Sequence, residues 1–251
     1  MNLRILFATT GRILRQLRHD RRTVAMLMVV PSLLLTLLYF MFADQPVPPG
    51  QPSTFDRIAL VMLGVFPFII MFLVTSIAML RERTSGTLER LLTTPLGKLD
   101  LLFGYGLAFG LAATVQASVA AGVAYWLFDL NTAGNAGLVV LIAVVNAVLG
   151  VALGLFCSAF AQTEFQAVQF MPVVVMPQIL LCGLFVERDH MAGWLRAISD
   201  VLPLSYAVEA LQQVGAHAES TGTMWRDLVV VGSAVVAALV LAAATLRRRT
   251  G

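Results

Sequence analysis

Charge is missing where this 251-residue chain is longest in apolar sequence. Six stretches, at 24–43, 58–80, 101–128, 137–161, 165–186 and 228–246, contain no Asp, Glu, Lys, Arg or His. Each has roughly the 20 residues that a helix needs to cross a hydrocarbon core of about 30 Å. In lipid every backbone amide must be paired within its own segment, so runs of this length and purity read as spanning helices. Charged residues make up 12% of the whole, against about a quarter in soluble domains, which leaves no room for a separate soluble catalytic domain. The uncharged spans exclude two functions. An ion-coupled transporter usually places ionisable groups at membrane depth. An intramembrane protease needs a Ser–His pair or paired Asp there, whereas His19, His190 and His217 all fall outside the runs. Cysteine is also scarce. Cys157, toward the inner end of the fourth span, and Cys182, toward the outer end of the fifth, sit at opposite membrane depths, so no disulfide is expected and both read as small packing residues. The first run is longer than a signal-peptide core and lacks a convincing cleavage site, so it is expected to remain as a span.

Basic residues, where they occur, fall on alternate sides. Arg4, Arg12, Arg15, Arg18, Arg21 and Arg22 precede the first span; Arg81, Arg83, Arg90 and Lys98 follow the second; Arg247, Arg248 and Arg249 follow the sixth. The other side keeps only Arg57, Arg188, Arg196 and Arg226. The positive-inside rule then predicts both termini in the cytoplasm. The basic balance is read as a topology signal, with no nucleic-acid partner expected.

The segments between spans are not featureless. Residues 1–23 carry Leu3, Leu6, Phe7, Ile13, Leu14 and Leu17 at helical spacing between arginines, predicting an amphipathic helix in the membrane interface. It serves as a topology anchor or as a brace for a cytoplasmic partner. The 44–57 stretch is proline-rich and predicts a short external turn. Gly150 and Gly154 form a GxxxG pair in the fourth span, which favours close helix packing. Pro31, Pro67, Pro172 and Pro177 are expected to kink their spans. Gln116 and Asn146 are expected to hydrogen-bond between helices. Residues 187–227 carry two weakly amphipathic patterns, Met191 to Leu202 and Tyr206 to Val214, broken at Pro203. They predict two short helices dipping into the outer leaflet or resting at its interface.

The most specific stretch is RERTSGTLERLLTTPLGKLDLL at 81–102. Leu88, Leu91 and Leu92 share one helical face, Ser85 or Gly86 can start a short helix, and Pro95 stops it. Such a helix between two spans is either a connector at the headgroups or a device that transmits a push from a soluble partner.

This loop resembles the signature of ABC-2-type transporter permeases. HDRRTVAMLMVVPSLLLTLLY at 19–39, ALGLFCSAFAQTEFQAVQFMPVVVMPQILLCGLF at 152–185 and WLRAISDVLPLSYAVEAL at 194–211 are similar to further parts of that family, in order. Two positions depart from the family pattern: Cys182 stands where a Ser is usual, and Val186 where a Pro is. The resemblance implies an all-α polytopic fold over residues 1–251, with six spans, a cytoplasmic coupling helix within 81–100 and an external re-entrant segment at 187–227. It implies the membrane permease subunit of an ATP-binding-cassette exporter in a bacterial plasma membrane, passing a drug, lipid or other hydrophobic small molecule. A nucleotide-binding ATPase subunit and a second permease subunit are the implied partners beside the lipid bilayer. No G-x-x-x-x-G-K-[ST] phosphate loop occurs in the sequence. ATP and Mg are therefore expected in the partner, with no cofactor or catalytic residue in this chain. By resemblance, Glu82, Gly86, Thr87, Leu88, Glu89, Arg90, Thr94 and Pro95 map onto the ATPase-coupling loop. Phe66, Phe68, Met71, Phe72, Gln169, Met176 and Gln178 are candidates for an apolar cargo path with a few polar points. The competing reading is a non-transporting membrane scaffold or anchor.

Overall fold

Helix propagates wherever apolar sequence is continuous, and the helix ends are set by local capping chemistry. The computed structural model describes residues 3–47, 52–85 and 97–245, apart from the side chains of residues 98 and 99. Its helices are α1 (Leu3–His19), α2 (Arg21–Phe42), α3 (Thr54–Thr84), α4 (Lys98–Leu127) and α5 (Ala136–Cys157). They continue as α6 (Glu164–Leu181), α7 (Gly193–Ser199), α8 (Pro203–Ala216) and α9 (Gly222–Thr245). Among the described residues there is no strand, and α2, α3, α4, α5, α6 and α9 are long and apolar enough to cross a membrane. The all-α polytopic architecture is the one expected.

Several ends differ from those the hydropathy predicts. α3 starts at Thr54 rather than 58 because Ser53 and Asp56 close a reciprocal capping box. It also runs on to Thr84, which makes Arg81, Glu82 and Arg83 helical. α9 starts at Gly222 rather than 228, with the Thr221 hydroxyl accepting from the Met224 amide at 3.1 Å. That extension takes Asp227 inside the helix, where it is fully buried. The expectation that spanning helices carry no carboxylate therefore fails at their ends. α5 stops at Cys157 instead of 161, and α6 at Leu181 instead of 186. Gly183 follows α6 with φ +92°, a conformation favoured by glycine. Within α6 Pro172 lies inside, and Pro177 just after, a π-helical turn, Met171–Val175, closed by the Met176 amide on the Met171 carbonyl. Missing proline N–H groups loosen the regular ladder at that point.

α3 and α5 form the centre. A Cβ on Gly150 would lie 2.3 Å from the Phe68 carbonyl oxygen, and one on Gly154 2.5 Å from that of Phe72. The GxxxG pair is thus used within the chain, where it lets two backbones touch. Pro67 has no amide for the carbonyl of Leu63, and beside it Asn146 donates to the Gly64 carbonyl at 2.9 Å. Asn146 makes the interhelical bond expected of it. Gln116 is buried without a partner for either amide atom among the described residues. α9 packs on α5 and α8, and α1 lies along α4. The peripheral α2 buries only Leu27, Pro31 and Leu35 and turns Met26, Val29, Leu33, Leu37 and Phe40 outward. An outward apolar face on a long helix is what a lipid solvent selects.

α8 does not rest at an interface. Leu204, Ala207, Val208, Ala210, Leu211 and Val214 are buried, and the helix packs against α3, α5 and α9. α8 is thus built into the helix bundle, a placement that the amphipathic pattern of 187–227 did not specify. The shorter α7 stays at the surface, burying only Ser199.

Candidate functional site

The contacts of Glu82 with Arg12 and Tyr105, and of Arg81 with Glu164, gather α1, the end of α3 and the start of α4 at one end of the bundle, here called the basic end. α7 and the start of α8 lie at the opposite end.

At the basic end Glu82 is buried and turned inward. Its Oε1 accepts from Arg12 Nη1 at 3.1 Å and from the Tyr105 hydroxyl at 2.5 Å. One carboxylate therefore joins α1, α3 and α4 one turn before the 86–96 segment. α1 is seated on α4 by small groups: a Cβ on Gly104 would come within 2.8 Å of the Thr9 methyl, and the Thr10 hydroxyl donates to the Gly104 carbonyl at 3.4 Å. Leu6 and Ile13 face inward with Thr9 and Thr10, whereas Leu3 and Phe7 are exposed. The apolar residues of α1 are accordingly divided between the bundle and the surroundings. Arg81 adds a bidentate pair with Glu164, at 2.7 and 3.1 Å, linking the end of α3 to the start of α6. Ser85 closes α3, its amide on the Arg81 carbonyl. Of the predicted coupling residues Glu82 is thus an internal tie, while Gly86, Thr87, Leu88, Glu89, Arg90, Thr94 and Pro95 lie outside the described residues.

The predicted path residues separate into three settings. Phe68, Met71 and Phe72 are fully buried, Phe68 and Phe72 against the glycines of α5, and Phe66 is half-buried. Gln169 and Met176 are exposed on α6. Gln169 lines a groove of about 370 Å³ at the basic end of α6, together with Phe160, Gln162, Gln166, Phe170 and Val173. Gln178 is buried at the opposite end; its Oε1 accepts from the Leu204 amide at 3.4 Å, satisfying a free donor at the start of α8.

The opposite end holds a group that the sequence pattern does not announce. Arg188 donates to Asp200, to Glu209 Oε2 at 2.5 Å, and lies 5.1 Å from the centre of the Tyr206 ring. Arg226 reaches Glu209 Oε1 at 3.5 Å and Asp227 Oδ1 at 2.8 Å. The result is an alternating ladder, Asp200–Arg188–Glu209–Arg226–Asp227, across four segments of chain. Burial pulls the Arg188 guanidinium down, but the Asp200 hydrogen bond and the Glu209 charge outweigh it and hold the group above its ordinary value. The available signal was Glu209, a carboxylate in an otherwise apolar helical pattern. Among the described residues no group of three or more His, Cys, Asp or Glu is gathered to hold a metal.

The sequence profile of the ABC-2 type transporter family matches residues 4–214. The chain is 28% identical over 167 residues to the probable multidrug ABC transporter permease YbhR of Escherichia coli (strain K12), covering 66% of this chain and 45% of that protein. It is 26% identical over 207 residues to ABC transporter G family member 20 of Dictyostelium discoideum, covering 80% of this chain and 28% of that protein. With the linearmycin resistance permease protein LnrN of Bacillus subtilis (strain 168) it shares 25% identity over 138 residues, 55% of this chain and 36% of that one. The aligned regions thus span less than half the length of each of these curated relatives. The match along most of the chain, on a bundle with six helices able to span a membrane, makes this a multi-pass membrane protein that belongs to the ABC-2 type transporter family.

Proposed function

We propose that this chain is the permease subunit of an ATP-binding-cassette exporter in a bacterial plasma membrane, with both termini in the cytoplasm. A separate ATPase subunit supplies ATP and Mg chemistry and docks on the 81–100 segment, and a second permease subunit completes the path. The cargo is a hydrophobic small molecule, drug or lipid. The observation that carries this reading is the inward tie of Glu82. A load applied just after Thr84 enters α3, and through Glu82 it also reaches α1 and α4. α3 is a single helix from Thr54 to Thr84, so the load passes without a break to the opposite end. The relatives named as multidrug and linearmycin resistance permeases support a drug as cargo, and the groove beside α6, lined by Gln162, Gln166 and Gln169 with Phe160, Phe170 and Val173, is a candidate contact for it. Gln169 and Met176 face the side on which a second subunit would enclose a path, while Phe68, Met71 and Phe72 act as the packed wall behind it.

Purification of the tagged chain in gentle detergent, followed by ATPase assay of what accompanies it, tests the reading. A soluble ATPase is expected, with its yield or activity reduced for Glu89→Ala. Recovery of the chain alone, without ATP hydrolysis in any preparation, would favour the scaffold.

A further inference from the structure

The segment from Gly183 to Leu202 is attached differently from everything else in the bundle. α7 buries only Ser199 and leaves Trp194 and Ile198 exposed, as is Val201 just beyond it. Leu184 packs against the central core and Leu195 and Leu202 are half-buried, but the directed ties are polar. Ser199 donates to the Leu181 carbonyl at 2.8 Å and pairs with Ser205 at 3.0 Å. The Tyr206 hydroxyl donates to the Asp200 carbonyl at 2.7 Å. Arg188, near the beginning of the segment, grips Asp200 near its end and Glu209 on the anchored α8. The segment starts at the only residue with positive φ in this region, Gly183 at +92°. The residue just before it, Cys182, is almost fully buried.

The geometry points to a strap: residues 183–202 pivot at Gly183 and are latched shut over the end of α6 by Arg188, which must release Glu209 for that end of the bundle to open. A strap held by apolar burial would resist every opening. A segment held mainly by polar ties, the Arg188 guanidinium beside the Ser199 and Tyr206 hydrogen bonds, opens at lower cost once that guanidinium lets go. Glu209 keeps a partner in Arg226 after the release, so the open state leaves no carboxylate of α8 stranded. In the exporter proposed above the strap is the far-side closure, and the assignment rests on that reading for its role but not for its existence.

Cys182 is the native reporter. It is almost fully buried beside the pivot, so it is expected to label slowly while the strap is shut. The experiment measures labelling by a hydrophilic maleimide on open membrane sheets. Cys157→Ala leaves Cys182 as the sole thiol, and Cys182→Ala leaves Cys157, buried at the basic end. Arg188→Gln is expected to label Cys182 at least about tenfold faster, the scale set by losing a charge-assisted tie on a local opening. Arg188→Lys should fall between, and Cys157 should stay protected. Unchanged Cys182 labelling, or equal acceleration at Cys157, would overturn the latch; the latter would make Arg188 a general stabiliser. Neither needs an ATPase. If Cys182 opens as expected but no ATPase copurifies, the strap stands and the export reading fails.

Discussion

Both ends of the bundle are tied by arginine–carboxylate pairs, but the ties join different things. At the basic end Glu82 links three long helices that are already packed together, and its carboxylate is almost out of reach of solvent. At the opposite end Arg188 links a surface helix and a turn to a buried helix, with Asp200 half exposed. The first arrangement makes a stiff block where a pushing partner would dock. The second makes a detachable cover. Charges of the same kind therefore give rigidity or release according to how much apolar packing surrounds them.

The largest effect is expected where the ends are joined. Gly150→Leu would drive a side chain into the Phe68 carbonyl and part α3 from α5, and overpacking of this sort typically costs about 1–3 kcal/mol and sometimes more. The purified variant should melt well below the parent in detergent, with both ends affected. An unchanged Tm would mean that the two helices are not in backbone contact. Next is Glu82→Ala, which removes the acceptor of Arg12 and Tyr105 and should cost about 1–3 kcal/mol. A double-mutant cycle with Arg12→Ala should give clear coupling. The corresponding cycle for Arg226 and Glu209 joins partly exposed groups and should give less than about 1 kcal/mol. Equal couplings would erase the contrast between the ends.

The smallest effect lies at the α1–α2 junction. The Thr23 hydroxyl and amide hold the Asp20 carboxyl below its ordinary value of 3.8. A lowered folded pKa contributes stability above the unfolded value and loses it as pH falls through the folded one. The protection of the Thr23 amide, its exchange rate relative to the intrinsic rate at the same pH, should therefore fall only as the pH drops below about 3.8, and Asp20→Asn should remove that dependence. Acid-independent protection in the parent would show that the cap is not formed.

Hydropathy made the spans legible, since a long uncharged run has no other stable form in lipid. The ends were less so: Ser53–Asp56 and Thr221 are capping signals that lie outside the apolar runs they extend. The Glu82 tie was half visible. Its place beside the coupling motif could be read, but its inward direction depends on Arg12 and Tyr105, distant in sequence. The Arg188 ladder was not visible as a unit, because its five members come from four segments with no common spacing. The spatial partner of a charge is set by the packing of helices, which one-dimensional periodicity does not encode.

The central claim is that ATP hydrolysed at the basic end moves the other end, and Cys182 can report it. In the copurified complex, on a Cys157→Ala background, maleimide labelling would be timed with and without ATP and Mg. The account predicts an ATP-dependent change in rate that Glu89→Ala abolishes. A complex that hydrolyses ATP while Cys182 labels at one constant rate would contradict it.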